Sequence, residues 1–321
     1  MGFDVVIVGA GQLGSRYLQG VATIREPLNI LIVDPSEDSL SVATSRWESS
    51  LPTGSEQRLV QSRVLDSVRG SAKLVIVATT AQHRLEVTHE VLSQAQVDYL
   101  VLEKNLAQSA EQVRTLCTLV DDVQGSWVNH PRRLMPVHRE ISEQLRQSGP
   151  LRVSAHLKNW GIATNATHLL DLVAWWSNHP LVAVDCADLD ADWVSSKRSG
   201  TMDVMGTLRA TYSDGTTLEI VDATEVQMAS SGSITVEYGE GSLRVEEGPP
   251  VAADFTGRFF EAPLIPQSAL SGPMISTILG TGMCALPRLE ETAYIHAMLL
   301  DGLVAHWSRT RHSAETWVPV A

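Results

Sequence analysis

A glycine-rich turn between an apolar strand and a helix constrains this chain most. Val5-Val6-Ile7-Val8 is a β-branched run that predicts a buried strand. The next six residues, Gly9-Ala10-Gly11-Gln12-Leu13-Gly14, match GxGxxG, and residues 12–22 predict a helix. In that context the first glycine makes the tight turn, the second lets the backbone approach a pyrophosphate, and the third lets helix and strand pack closely. The predicted dinucleotide contacts are Gly9, Gly11, Gln12, Leu13 and Gly14, and the alternative is an ordinary strand-to-helix turn.

An acidic residue follows the second predicted strand, Ile30-Leu31-Ile32-Val33. Asp34 stands at the distance from the glycine turn where a carboxylate holds the ribose hydroxyls of a dinucleotide. It would repel a 2′-phosphate, and Pro35-Ser36-Glu37 offers no positive charge to offset that repulsion. We therefore expect NAD as the cofactor in preference to NADP. The alternative is that Asp34 only caps the helix that follows.

Strand and helix patterns alternate through the first 130 residues. Uniformly apolar strands separated by helix-length segments indicate a parallel sheet covered on both faces. Residues 1–130 are therefore predicted to form a Rossmann dinucleotide-binding domain. Beyond the first two strands, strands are predicted at 74–78, 99–102 and 127–128, and helices at 36–48, at 82–95 and from Ser109 onward.

The second half changes character after residue 150. An extended stretch at 151–158 and a helix at about 164–176 precede a region, 182–245, that predicts strands joined by turns such as Ser213-Asp214-Gly215. Residues 247–285 contain Pro249-Pro250 and predict loops, and about 287–307 predicts a closing helix. Strands joined by such turns suggest an antiparallel sheet. The change of pattern indicates that residues 131–321 form a second domain.

Composition narrows the classes of function. A length of 321 residues favours two domains, and a formal net charge of −13 argues against nucleic-acid binding. No apolar run approaches the roughly 20 residues of a membrane span, and no basic leader precedes the first strand, so a cytoplasmic protein is expected. The three cysteines and ten histidines form no zinc-like spacing, and no metal site is predicted.

Four further motifs follow predicted strands or open a predicted helix. They are Ala78-Thr79-Thr80-Ala81-Gln82-His83, Glu103-Lys104-Asn105, Asn129-His130-Pro131-Arg132-Arg133-Leu134-Met135-Pro136 and His168-Leu169-Leu170-Asp171. Together with the glycine turn, this series resembles the Gfo/Idh/MocA oxidoreductases, named for glucose–fructose oxidoreductase and inositol dehydrogenase. The resemblance covers most of the chain and is weak between 180 and 285. It implies a Rossmann domain over 1–130 and, over 131–321, an α/β domain for substrate binding and oligomerisation with a large, mostly antiparallel open sheet. It also implies hydride transfer between a nicotinamide and a hydroxyl or keto carbon of a sugar or nucleotide sugar.

The resemblance also implies roles for individual residues. Lys104 and His168 would be catalytic, the lysine holding negative charge on the reacting oxygen and the histidine moving the proton. The alternatives are that Lys104 is a solvated strand end and that His168 is structural. Further cofactor contacts would come from Thr79, Thr80, His83, Glu103 and Lys104. Glu103 is alternatively a brace for its loop. Substrate contacts would come from Lys104, Arg133, Thr164, Asn165, His168 and Asp171.

Two departures from the family pattern affect the interpretation. Asn105 stands where the family usually has proline, and Thr164 stands where many of its dehydrogenases have an aspartate four residues before the histidine. Threonine cannot relay a proton as a carboxylate can. The leading hypothesis is therefore an NAD-dependent oxidoreductase, and the alternative is a catalytically inactive dinucleotide-binding sensor or interaction protein of the same fold. A reductase of a non-sugar substrate, such as a linear tetrapyrrole, is a third possibility, against which the His-x-x-Asp motif argues.

Self-association is the last expectation from the sequence. An open antiparallel sheet would leave a large apolar face, which monomers rarely tolerate. A homodimer or homotetramer that pairs through residues within 200–246 is therefore predicted.

Overall fold

The computed structural model describes residues 2–224, 232–248, 250–255 and 257–321. The strands, in chain order, are β1 (Gly2–Val8), β2 (Asn29–Val33), β3 (Arg58–Ser62), β4 (Gly70–Val77), β5 (Ala95–Leu102), β6 (Gly125–Val128), β7 (Leu151–Lys158), β8 (Leu181–Asp185), β9 (Val194–Ser195), β10 (Met202–Asp203), β11 (Gly206–Tyr212), β12 (Thr217–Ala223), β13 (Gly232–Tyr238), β14 (Gly241–Glu247), β15 (Val251–Phe255) and β16 (Arg258–Ala262). The helices are α1 (Gln12–Ala22), α2 (Glu37–Glu48), α3 (Ala81–Gln94), α4 (Ala110–Leu119), α5 (Pro136–Leu145), α6 (Ile162–Ser177), α7 (Gln267–Thr281) and α8 (Leu289–Arg311). None of the helices in these ranges is both long and apolar enough to cross a membrane.

The chain divides into two compact units, and each unit draws on several stretches of sequence. The first is built from residues up to Ala107, from Gln112–Pro131 and from Ile265–Ala293. The second is built from Gln108–Glu111, Arg132–Leu264 and Tyr294–Ala321. Ile265–Ala293 of the first unit falls within 131–321, the range predicted for the second domain.

The first unit contains a six-stranded parallel sheet in the order β3-β2-β1-β4-β5-β6. This is the strand order of a Rossmann fold, and it confirms the predicted fold of the first half. The order reverses between β1 and β4, which is where such sheets bind their ligands. The edge strand β3 was not predicted, because its exposed residues lack the apolar run that marks the central strands.

Two small residues allow α1 to pack closely against α7. A Cβ added to Gly20 would lie 2.6 Å from Cβ of Ser271, and one added to Gly272 would lie 2.7 Å from the carbonyl oxygen of Gly20. The prediction of loops over 247–285 was wrong, since β15, β16 and α7 occupy most of that range. Gly272 and Pro273 read as helix breakers locally, but the packing of α7 on α1 outweighs their low helix propensity.

The second unit contains an eight-stranded sheet in the order β16-β15-β14-β13-β7-β12-β11-β8. Among the described strands of this sheet, β7 and β12 alone pair in parallel, so the predicted large and mostly antiparallel sheet is confirmed. On β7 the buried residues Leu151, Val153, Ala155 and Leu157 alternate with Arg152, Ser154, His156 and Lys158. The helices α5 and α6 pack on this sheet, with α6 against β11 and β12.

On this sheet, the strand residues that are exposed or half-buried are mostly polar in the described part of the chain. Within 200–246, of which residues 225–231 lie outside the described residues, they include Thr207, Arg209, Thr211, Glu219, Thr235, Glu237 and Arg244. Arg209 Nε lies 2.9 Å from a Glu219 carboxylate oxygen. The expectation of a large apolar face is therefore wrong for the described residues. The homodimer or homotetramer stays a prediction, but it can no longer be argued from an apolar sheet face.

Candidate active site

The strands of the parallel sheet end together, and the predicted cofactor residues follow those ends. Val8 pairs in register with Val33 and Val77, and Leu102 pairs with Val77 and Val128. Backbone hydrogen bonds continue one residue beyond the strands, from Gly9 N to Val33 O at 2.8 Å and from Ala78 N to Val8 O at 2.8 Å. The glycine turn, Asp34, Thr79, Glu103 and Lys104 therefore lie along one edge of the sheet.

The three glycines of the turn have three different surroundings. Gly9 has φ +98°, and a Cβ there would lie 3.0 Å from the carbonyl carbon of Ala78. A Cβ on Gly14 would overlap the carbonyl oxygen of Gly9, so this glycine lets α1 approach β1. A Cβ on Gly11 would meet no atom within 4 Å. Gly11 is exposed, and no side chain caps the helix that begins at Gln12, so this end of α1 can accept a pyrophosphate.

Asp34 holds the glycine turn to the end of β2. Its Oδ2 accepts from the backbone N–H of Ala10 at 2.7 Å, and its Oδ1 accepts from that of Ser36 at 2.8 Å. The alternative that Asp34 only caps α2 is wrong, because the N-cap is Ser36, whose hydroxyl accepts from the N–H of Ser39 at 3.2 Å. Each carboxylate oxygen keeps a second lone pair for a ribose hydroxyl.

A positive charge lies close to Asp34 and Pro35, at the ends of β2 and β3. It could not be predicted from residues 35–37, because Arg63 follows a different strand. Arg63, just after β3, donates from Nε to the carbonyl oxygen of Pro35 at 3.1 Å. Its Nη1 also lies 3.8 Å from a Glu37 carboxylate oxygen, and both side chains are largely exposed. At this corner Asp34 and Glu37 thus bring two carboxylates, and Arg63 brings one guanidinium.

The turn after β4 carries Thr79 and Thr80, which are half-buried, and the exposed His83. Thr80 is the N-cap residue of α3, and its carbonyl oxygen accepts from the N–H of His83 at 3.1 Å. Arg84 is fully buried and donates to the carbonyl oxygen of Thr79. The turn is therefore held from its buried side, while His83 faces solvent.

Glu103 and Lys104 follow β5 and differ in their surroundings. The Glu103 carboxylate is buried, and its Oε1 accepts from the Tyr17 hydroxyl at 2.6 Å and from Nδ2 of Asn129 at 2.7 Å. Lys104 is half-buried, and the peptide bond between Lys104 and Asn105 is cis. These contacts support Glu103 as a brace for the turn, and its contact with the cofactor stays a prediction.

Tyr17 was not anticipated from the sequence, because nothing in α1 marks it as more than a core residue. Burial raises its pKa well above the usual value, the Glu103 carboxylate raises it further, and the Arg84 guanidinium acts in the opposite direction. The phenol therefore stays protonated at ordinary pH and remains a hydrogen-bond donor to Glu103.

In the second unit, Arg133 and Asp171 bind each other through two parallel hydrogen bonds. The Arg133 guanidinium also lies 5.6 Å from the centre of the Trp175 indole. Both oxygens of Asp171 accept from Arg133, so the pair supports a structural role for the predicted substrate residues Arg133 and Asp171. His168, one turn earlier on α6, is half-buried.

Two aspartates that the sequence analysis did not single out hold the start of α6. Oδ2 of Asp222 accepts from the N–H of Gly161 at 2.7 Å, and Oδ1 of Asp203 accepts from the N–H of Thr164 at 3.2 Å. Burial raises the pKa of Asp203, and the hydroxyl and N–H of Thr164 act in the opposite direction. Asn165 is held as well, its Nδ2 donating to a backbone carbonyl at 2.6 Å.

A sequence signal existed for one of these aspartates. Asp222 lies on the same face of β12 as the buried Leu218 and Ile220, because side chains alternate along a strand. An acidic residue on an apolar face is unusual. Asp203 follows no such pattern. It nevertheless brings a carboxylate to Thr164, the position where many dehydrogenases of the resembled family have an aspartate.

Within the described ranges, no group of three or more His, Cys, Asp or Glu residues is arranged to hold a metal ion.

The Rossmann sheet with its glycine turn and the large mixed sheet give this chain the fold seen in solved Gfo/Idh/MocA-type oxidoreductases. An oxidoreductase from Agrobacterium radiobacter, solved with NAD+, L-tartaric acid and magnesium, is 12% identical at a TM-score of 0.71, with 92% of this chain and 94% of that chain covered. UDP-N-acetylglucosamine 3-dehydrogenase from Acidithiobacillus ferrooxidans is 15% identical at a TM-score of 0.66, with 98% of each chain covered. The transcriptional regulator Gal80p from Kluyveromyces lactis is 11% identical at a TM-score of 0.71, with 95% of this chain and 92% of that chain covered.

At these identities the similarity establishes the fold alone, and at that level it confirms the resemblance drawn from the motifs. No family model and no curated protein matches this chain.

Proposed function

We propose that this protein is an NAD-dependent oxidoreductase that transfers a hydride between the nicotinamide and a hydroxyl or keto carbon of a sugar or nucleotide sugar. The observation that carries the proposal is the shared sheet edge, where an open glycine turn, Asp34 and Lys104 follow β1, β2 and β5. The structures of the same fold include one with NAD+ and one of a nucleotide-sugar dehydrogenase, which supports both the cofactor and the substrate class.

The residues of the first unit fit a dinucleotide. Gly11 leaves open space above the start of α1, and the uncapped helix end offers N–H groups to phosphate oxygens. Asp34 can accept from the ribose hydroxyls while it keeps its bond to Ala10. The bound nicotinamide would supply the chemistry of hydride acceptance and donation.

Two residues would act on the reacting carbon and its oxygen. Oxidation of a hydroxyl would need a base to take its proton, and reduction of a keto group would need the same residue to return one. We assign the proton to His168, since an imidazole suits proton transfer near neutral pH. We assign the Lys104 ammonium to the oxygen, where it stabilises negative charge as the bond order changes. Thr164 and Asn165 would line the substrate position.

The second candidate is a dinucleotide-binding sensor or interaction protein without turnover. It is supported by Gal80p, which has the same fold and is described as a transcriptional regulator, and by Thr164 in place of an acid. It shares the cofactor site with the first candidate and differs only in turnover.

One experiment separates these candidates. The purified protein is titrated with NADH and NADPH, and NADH absorbance is then followed while sugars, cyclitols and nucleotide sugars are added with either redox form of the cofactor. Binding with turnover that falls by about 10²–10³ in Lys104→Met is the expected result. Binding without turnover across the panel favours the sensor, and a folded protein that binds neither nucleotide contradicts both.

A further inference from the structure

Tyr17 connects the glycine turn to the turn that carries Lys104. It lies on α1 three residues after Gly14, and its side chain is fully buried. Its hydroxyl donates to Oε1 of Glu103 at 2.6 Å, across the carboxyl ends of the strands. The helix that opens at the predicted pyrophosphate site is therefore bonded to the residue just before the predicted catalytic lysine.

The second donor to Glu103 comes from the neighbouring strand end. Asn129, which follows β6, donates from Nδ2 to the same Oε1 at 2.7 Å and lies 3.3 Å from Oε1 of Gln267 on α7. Glu103 is 2% exposed and Asn129 is 3% exposed. A carboxylate at such a depth is unfavourable unless donors surround it, and these donors come from two different elements.

This arrangement exceeds what packing requires. The end of β5 is buried and apolar from Leu100 to Leu102, and it could continue into another apolar residue without loss of burial. A carboxylate held by directional bonds instead fixes the backbone at position 103 in a single orientation. The next residue is Lys104, so the direction in which its side chain leaves the strand is set by the same bonds.

We propose that Tyr17 is a positioning residue for Lys104, holding Glu103 so that the lysine ammonium is presented in one place and responds to a cofactor bound at the start of α1. The inference rests on the proposed function for its effect on turnover, although not for its effect on Lys104 itself.

The test compares Tyr17→Phe with Tyr99→Phe. Both substitutions delete one phenolic oxygen and keep the ring, and Tyr99 lies on β5 with its ring packed against Trp127. Because the chain has only four lysines, at 73, 104, 158 and 197, reductive methylation with ¹³C-formaldehyde gives few lysine signals. The Lys104 signal is assigned by its loss in Lys104→Arg and is followed through a pH titration, with and without NADH.

The expected result is a shifted or broadened Lys104 resonance and a changed titration midpoint in Tyr17→Phe, with the parent values retained in Tyr99→Phe. Turnover should fall about tenfold in Tyr17→Phe, since one hydrogen bond to a charged group is lost, while NADH affinity changes less than about twofold. In a Lys104→Met background the same substitution should change turnover by less than about twofold, because both residues act through one group.

Glu103→Gln is a second variant, which distinguishes the loss of the Tyr17 hydrogen bond from a general disturbance of the fold around position 103. It keeps an acceptor for the Tyr17 hydroxyl, so its Lys104 signal should stay sharp while that of Tyr17→Phe does not. A Lys104 resonance and titration unchanged by Tyr17→Phe overturn the proposal, whatever the turnover. If no variant, the parent included, turns over any substrate, the proposed function fails while the resonance still decides the role of Tyr17.

Discussion

Arg133 and Asp171 form a two-point ion pair, with Nε 2.9 Å from Oδ2 and Nη2 2.7 Å from Oδ1. The side chains are only 12% and 1% exposed. Their charges also reach Tyr294, whose pKa is raised first by burial and then by Asp171, while Arg133 acts in the opposite direction. A pair with this geometry holds the helix of His168 to the segment that precedes α5.

Breaking this pair should destabilise the protein. Asp171→Asn removes the counter-charge of a largely buried guanidinium, and the free energy of unfolding should fall by about 3 kcal/mol. Urea denaturation of the two proteins measures the difference. The control is Glu237→Gln, which breaks the exposed ion pair with Arg152. The side chains of Glu237 and Arg152 are 60% and 80% exposed. This variant should lower the free energy of unfolding by less than about 0.5 kcal/mol. Equal losses in the two variants would contradict the structural role.

Two glycines of the same turn should fail in different ways when replaced by alanine. Gly14→Ala forces a methyl group into the Gly9 carbonyl and should cost about 1–3 kcal/mol of stability. Gly11→Ala meets open space, so the apoprotein should keep its stability while NADH binds at least about tenfold more weakly. Gly280→Ala, also in open space but far along α7, is the control for both measurements. A Gly11→Ala protein with parent NADH affinity would remove the phosphate site from this turn.

Cofactor preference should depend on Asp34. We expect NADH to bind at least about tenfold more tightly than NADPH, a difference of about 1.4 kcal/mol. Because Arg63 already lies beside Pro35, Asp34→Ser alone should move the preference toward NADPH. In the double variant Asp34→Ser/Arg63→Gln, this shift in preference toward NADPH should disappear. Fluorescence titration with both nucleotides checks this, and equal affinities in the parent would refute the preference.

Turnover should depend on the ammonium of Lys104. Lys104→Met keeps the length of the side chain and removes its charge, so turnover should fall by about 10²–10³ while NADH affinity changes little. Lys104→Arg should not restore it, since a planar guanidinium differs in shape and does not titrate like an ammonium. Turnover of Lys104→Met within about threefold of the parent would reduce Lys104 to a solvated strand end.

Stability should fall in mild acid through His306. This buried residue of α8 accepts at Nδ1 from the Trp193 indole N–H at 3.2 Å, and its Nε2 lies 3.2 Å from the carbonyl oxygen of Leu189. Burial lowers its pKa from 6.5, while the Leu189 carbonyl acts in the opposite direction. Its contribution is therefore complete above the unfolded-state pKa and is lost as the pH falls through the folded-state pKa.

The melting temperature between about pH 8 and pH 5 measures that contribution. His306→Gln should flatten the dependence, because no imidazole remains to be protonated at this site. His89→Gln, at an exposed position on α3, should leave the slope as it is. A slope that survives in His306→Gln would assign the effect to other groups.

The sequence predicted most of what is local. The glycine turn, the helix predicted at 36–48 and the extended stretch that forms β7 each depend on a few adjacent residues, and all have the expected structure. The fold brings three other residues to their sites from distant parts of the chain, namely Arg63, Tyr17 and Asp203. No local sequence pattern could therefore predict their contacts. The helix α7 was missed for the related reason that its stability comes from packing on α1, which overrides Gly272 and Pro273.

The contact of α7 with α1 has a consequence for synthesis on the ribosome. The strands of the parallel sheet are complete in sequence at Val128, yet the same unit also needs Ile265–Ala293. At ordinary elongation rates of about 5–20 residues per second, the nascent sheet waits on the order of ten seconds for the helix that covers α1. During that interval the surface of α1 around Gly20, which α7 covers in the folded protein, stays exposed to solvent.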